Sequence, residues 1–230
     1  TEGVAMTVHD DDKVVLDGPA IEAEGLRDWR VLLGVLHARF ETGGFNAGVT
    51  LVQAIGAAAD EMNHHPDVEL TYPRVAVRLS SHDVGGVTRR DVVLARAISE
   101  MAAKLGATSS PAEMSALELA LDTPDREAIM PFWRAVLGYQ ASGSPVDEIV
   151  DPTGQHPTIW FQDCEPHEAP HQRWHLDLRV PPGVVDDRIA AAVAAGGTLV
   201  SDDEAPRFWV LADCQGNRVC LTTWQGRTHA

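Results

Sequence analysis

Three histidines and one carboxylate, His64, His65, His82 and Asp91, fall within 28 residues of this 230-residue chain. They stand in the runs Glu61-Met62-Asn63-His64-His65-Pro66, Ser81-His82 and Thr88-Arg89-Arg90-Asp91. Histidine as a residue type titrates near working pH, so a cluster of it can both give and take protons. The same side chain also ligates metal. Adjacent histidines rarely offer two ligands to one ion, and no cysteine accompanies them, so the spacing favours acid/base chemistry over zinc. Asp91 has a plainer reading beside the functional one. It stands three residues after Thr88, the spacing of a helix capping box with Asp in place of the usual Glu.

The elements around these residues must bring them together. The spacing of Val49, Val52, Ile55, Ala59 and Met62 predicts a helix capped by Asn46 and running to about Asn63, with Pro66 to stop it, which leaves His64 and His65 at its end. Alternation predicts strands over 68–72 and 75–79, the second ending near His82. Thr88 opens another helix with Leu94, Ile98, Met101 and Leu105 on one face and Gly106 as terminator. Ahead of these, 19–26 reads as a short helix and 30–40 as a strand, while 1–13 is a polar, acidic, frayed terminus. Thr108-Ser109-Ser110-Pro111 reads as a linker. Beyond it a pattern of strand, helix and strands occurs twice, the signature of an internal duplication. Its strands are expected at 117–121, near Ile149, and at 158–161, 175–180, 208–211 and 218–222. Its helices are expected at 125–137 and 184–195. Two domains result, 14–106 and 114–226.

Composition limits the partners. The formal charge is −16, with 16 acidic and 10 basic residues up to Ser110 and 18 and 8 beyond it. Such a surface repels phosphate backbones and anionic lipid, so neither nucleic acid nor a membrane is expected as partner. No apolar run approaches the ~20 residues that span a bilayer, and no secretory signal opens the chain. Three cysteines, Cys164, Cys214 and Cys220, do not make a disulfide framework, which points to a reducing cytoplasm.

Several segments then match a known pattern in order. Asn63-His64-His65-Pro66, Tyr72-Pro73-Arg74-Val75, Ser81-His82-Asp83-Val84-Gly85-Gly86 and Val87-Thr88-Arg89-Arg90-Asp91, with Trp29 and Phe45, resemble the pterin-4a-carbinolamine dehydratases over about residues 14–105. The resemblance implies an α+β domain with a four-stranded antiparallel sheet and helices on one face. It implies metal-free dehydration of a 4a-hydroxytetrahydropterin, a pterin substrate, no cofactor, and dimers or tetramers. It places His64, His65 and His82 around the pterin, with His64 and His82 as the proton-transfer pair, His65 orienting the substrate and Asp91 fixing a histidine tautomer. Trp29 would pack on the pterin edge. Asp60 stands where the family often has a glutamate, and its shorter side chain reaches less far. Two other readings are a dehydratase-like domain acting on a molybdopterin-type compound and a non-catalytic pterin-binding or interaction protein.

Residues 114–224 resemble the glyoxalase-like members of the vicinal oxygen chelate superfamily. The matching text is Leu119-Ala120-Leu121-Asp122, Pro131-Phe132-Trp133 to Leu137-Gly138-Tyr139, Trp174-His175-Leu176-Asp177-Leu178, and Leu211 to Asn217. The resemblance implies two βαβββ modules paired into a curved sheet around a cavity. It puts Glu118, Gln162, His175 and Cys220 where metal-dependent members hold their ion. Cys220 replaces a glutamate and Gln162 is a weak ligand, so no tightly held metal is expected. Zinc on Glu118, His175 and Cys220 is the competing possibility. Trp133, Trp160, Trp174 and Trp209 either fill a core or line a cavity for a flat apolar ligand.

Overall fold

The computed structural model describes residues 10–127, 129–130, 134, 139–142, 147–166, 174–194, 196–212 and 218–227. The chain forms two compact units. One runs up to Met114 and takes in the segment from Trp224; the other is Ser115–Thr223. Trp224 packs against the core of the first unit, so the end of the stretch expected to close the second domain groups with the first. Among the described residues no helix is long and apolar enough to cross a membrane.

In the first unit, the strand expected over 30–40 is a hairpin. β1 (Trp29–Leu32) and β2 (Val35–Glu41) pair in antiparallel register. Leu33 and Gly34 between them have φ of 54° and 70°, the left-handed pair that a two-residue hairpin turn of matching twist requires. β3 (Asp67–Thr71) and β4 (Arg74–Leu79) complete an antiparallel sheet in the order β1-β2-β4-β3. β5 (Thr108–Ser109) pairs with the far end of β2, and the Ser109 hydroxyl donates to Asp28, so half of the expected linker is built into the sheet.

Alternation along the strands sorts the side chains. Leu36, Ala38 and Phe40 of β2 and Val75, Val77 and Leu79 of β4 are buried together. Helices α2 (Phe45–Met62) and α3 (Arg89–Lys104) bring Leu51, Ile55, Leu94 and Ile98 into the same core; α1 (Gly18–Ala23) adds Ile21. Each such side chain contributes roughly 1.5–3 kcal/mol when fully buried. Gly48 lets α2 close on the sheet, since a Cβ there would lie 2.5 Å from Leu70 Cδ1. The cap of α2 is Gly44, not Asn46, which lies inside the helix. Its end is Asn63, in left-handed backbone at φ 47°, where the helix is expected to run out ahead of Pro66.

The second unit is a sheet in the order β11-β12-β13-β10-β6-β9-β8-β7. β6 (Ala116–Thr123) runs parallel to β9 (Ile159–Asp163), and β10 (Trp174–Arg179) parallel to β13 (Arg218–Thr222). An antiparallel β6–β10 pair joins the halves. β7 (Gln140–Ala141) and β8 (Glu148–Val150) finish one half; α4 (Val185–Ala194), β11 (Thr198–Ser201) and β12 (Phe208–Ala212) finish the other. This is the paired arrangement that the repeat implied. Trp133 and most of the helix expected at 125–137 lie outside the described residues. Leu121, Ile149, Ile159 and Phe161 form the core, with Trp174 against it.

Candidate functional site

The left-handed Asn63 turns the chain off the axis of α2, and the His64 N–H donates back to Ala59 O at 3.0 Å. That turn aims His64 inward, where its side chain is 7 % exposed. Its Nε2 lies 2.7 Å from Asp91 Oδ1. The other Asp91 oxygen accepts from the Ser81 hydroxyl at 2.7 Å and from the Thr88 N–H at 2.7 Å. Thr88 caps α3 in return, so Asp91 closes a capping box and holds a histidine with the same carboxylate. Both readings of Asp91 meet in one side chain. Burial alone raises the Asp91 carboxyl, but the bonds from His64, the Thr88 N–H and Ser81 outweigh it and hold it below its ordinary 3.8. An ionised Asp91 can only accept, so the proton of neutral His64 sits on Nε2 and its Nδ1 presents a lone pair.

Ser81 ties the end of β4 to this pair, and His82 follows it, exposed. The Ser81–Gly86 bridge and the Arg90–Asp83 ion pair at 2.6 Å pin that loop. His65 is also exposed, with its Nε2 3.1 Å from Asp60 Oδ1. The short carboxylate therefore reaches a histidine, although not the buried one. Trp29 stands elsewhere. It is buried, its N–H is shared by Ala95 O at 3.1 Å and Ser99 Oγ at 3.0 Å, and its ring meets Phe40 edge-on. The structure thus makes Trp29 a core residue rather than a face for a ligand. Ser81 and Thr88, not singled out from sequence as site residues, complete the network; the capping spacing of Thr88 and the position of Ser81 beside His82 were their only signals.

Asp91→Asn is expected to cost roughly 2–4 kcal/mol, since it removes a buried charge-assisted acceptor and half of a capping box. The folded carboxyl lies below its unfolded value, so its contribution is complete above pH 3.8 and is lost as pH falls through the lower folded value. Urea unfolding of both proteins should show a gap that narrows in acid. A gap of constant size down to the acid transition would mean that ionised Asp91 is not what the fold uses.

In the second unit the four expected residues do not converge. Glu118 Oε2 accepts from Arg179 Nη2 at 3.0 Å in a buried ion pair, and Arg179 Nη1 donates to Thr223 O at 2.7 Å. Gln162 is exposed on β9. His175 and Cys220 do meet, around a residue the sequence did not single out. Asp177 stands opposite Cys220 in the β10–β13 register, and the donor atoms of His175, Asp177 and Cys220 all lie within 4.8 Å of one another. The signal was the His-x-Asp alternation, which puts His175 and Asp177 on one face of a strand. Burial, with Asp177 beside it, pushes the Cys220 thiol up to about 12. Trp160 is half-buried, and its N–H donates to Asp177 Oδ2 at 3.0 Å.

Comparison with known proteins divides the chain in the same way. The family model described as pterin 4 alpha carbinolamine dehydratase matches residues 16–101, and the one described as glyoxalase-like domain matches residues 118–222. A protein of Aquifex aeolicus, provisionally named a pterin-4-alpha-carbinolamine dehydratase, is 35 % identical over 80 residues, which are 35 % of this chain and 81 % of that one. Its counterpart in Metallosphaera sedula is 38 % identical over 78 residues, 34 % of this chain and 81 % of that one. A Brucella melitensis crystal structure titled transcriptional coactivator/pterin dehydratase aligns with TM-score 0.38 and 24 % identity over 39 % of this chain and 99 % of that one. A Vibrio splendidus member of the glyoxalase/bleomycin resistance protein/dioxygenase superfamily aligns with TM-score 0.33 and 11 % identity over 48 % of this chain and 99 % of that one.

Proposed function

Because this chain belongs to the pterin-4a-carbinolamine dehydratase family through residues 16–101, we propose that it is a hydro-lyase that removes water from a 4a-hydroxytetrahydropterin. The observation that carries the reading is the buried His64–Asp91 bond of 2.7 Å beside an exposed His82 and His65. In the reaction the C4a–O bond breaks, the oxygen leaves as water with a proton from an acid, and the N5 proton passes to a base as the C4a=N5 bond of the quinonoid dihydropterin forms. Histidine suits both transfers, each worth about 10²–10⁴-fold. His64, held by Asp91 with Nδ1 unprotonated, is the base. His82, exposed just past the end of β4, is the acid. His65, braced by Asp60, orients the pterin. The residues of the first unit supply every group this chemistry needs.

The glyoxalase-like domain is an appended small-molecule-binding unit, and no glyoxalase activity is carried over to it. We place the activity in a reducing cytoplasm, in keeping with the free thiols of Cys164 and Cys220, and in a homo-oligomer. The test is stopped-flow decay of chemically generated 4a-hydroxytetrahydropterin with the full chain. Catalysed decay to the quinonoid product is expected. Decay at the buffer rate, with pterin still bound, would make the protein a binding module instead.

A further inference from the structure

The metal ligands that the vicinal oxygen chelate resemblance implies do not come together here, since Glu118 is held by Arg179 and Gln162 is exposed. Two adjacent strands nevertheless gather a different donor set. His175 Nε2 lies 3.6 Å from Asp177 Oδ1, and Cys220 Sγ is within 4.8 Å of both. Two atoms each about 2.1 Å from a tetrahedral ion stand about 3.4 Å apart, so the His175–Asp177 span is already that of two ligands on one zinc. Asp177 is buried, and His175 and Cys220 are half-buried.

The surroundings are those of a held ligand set. Asp122 Oδ1 lies 3.3 Å from His175 Nδ1, on the opposite side of the ring from Asp177. That is ion-pair distance, although the angle is off the hydrogen-bond line and the buried Oδ1 makes no hydrogen bond among the described residues. A negative charge at that distance favours the proton on Nδ1, which leaves Nε2 to a metal. The Trp160 N–H holds Asp177 Oδ2 at 3.0 Å, which turns Oδ1 toward His175 Nε2. Two of the three donors are thus approached from behind by other strands, His175 from β6 through Asp122 and Asp177 from β9 through Trp160.

We propose that His175 Nε2, Asp177 Oδ1 and Cys220 Sγ form a zinc site in the second unit, with Asp122 and Trp160 as positioning residues. Nitrogen, oxygen and sulfur donors together select zinc over magnesium or calcium, which take oxygen. Three protein ligands leave the fourth tetrahedral position to water or to an oxygen of a small molecule. The expectation of a metal-free domain rests on the Cys220 and Gln162 replacements and does not count Asp177, which in this proposal supplies a further hard ligand.

The full chain, stripped with chelator and titrated with zinc, is expected to take up one ion. Cobalt in its place should give the thiolate-to-metal charge-transfer band in the near ultraviolet. Asp177→Asn and Cys220→Ser should each weaken zinc binding by about 100-fold or more, and Asp122→Asn by about 10–100-fold. Gln162→Ala should bind as wild type. Circular dichroism checks the fold of each variant. If Asp177→Asn does not fold, the cobalt spectrum of the wild type and its loss in Cys220→Ser decide the matter. Failure to bind zinc, cobalt bound without the charge-transfer band, or zinc lost in Gln162→Ala would overturn the site.

Discussion

His64→Ala is expected to slow dehydration by about 10²-fold or more with little change in secondary structure, because on the proposed mechanism it removes a proton-transfer group and leaves in place the α2 turn and the α3 helix that position it. The loss should fall mainly on kcat, since on the proposed mechanism His65, not His64, orients the pterin. His82→Ala should lose a similar factor for the other proton. The double variant should fall well short of the product of the two losses, because the groups serve one concerted departure of water and N5 proton. Stopped-flow decay of the carbinolamine, read beside circular dichroism, checks all three proteins. Wild-type rates in both single variants would remove histidine acid/base catalysis from the account.

Glu118→Ala is expected to destabilise the second unit by about 3–5 kcal/mol, enough to lower its melting temperature by roughly 10–20 °C. Arg179 is buried and would keep its charge without the Glu118 carboxylate; its bond to Thr223 O does not neutralise it. The cost lies in the orphaned guanidinium rather than in the worth of the pair. Glu118→Leu with Arg179→Met should therefore recover most of the loss, since an apolar pair of similar size is often no worse than a buried ion pair. Calorimetry of the three proteins tests this. A single variant that melts with the wild type would show that water reaches Arg179.

What could be read from sequence was local. Leu94 and Ile98 announce α3, and Thr88 with Asp91 fixes its first turn, because capping acts over three residues. Val75, Val77 and Leu79 announce β4 by alternation. The duplicated second half showed in the order of its elements and reappears as two parallel pairs, β6–β9 and β10–β13. The hairpin at Leu33-Gly34 was hidden because leucine seldom takes left-handed backbone, so the run read as one strand. Partnerships across long separations were hidden for another reason. Nothing near Glu118 in sequence says that a residue 61 positions away will claim it, and nothing near Trp29 says that its N–H will go to Ala95. His64 was legible as chemistry, and its tautomer became legible only with Asp91 beside it.

Trp224 gives the protein a timetable. The core of the first unit is packed on by a side chain that leaves the ribosome after the whole second unit. At roughly 5–20 residues per second, the roughly 110 residues from Met114 to Trp224 take on the order of ten seconds to make. For that interval the nascent first unit carries an uncovered apolar seat, the kind of surface that chaperones hold. A chain released early, anywhere within the second unit, would keep His64, His65 and His82 and still lack the tryptophan that packs against the first unit's core.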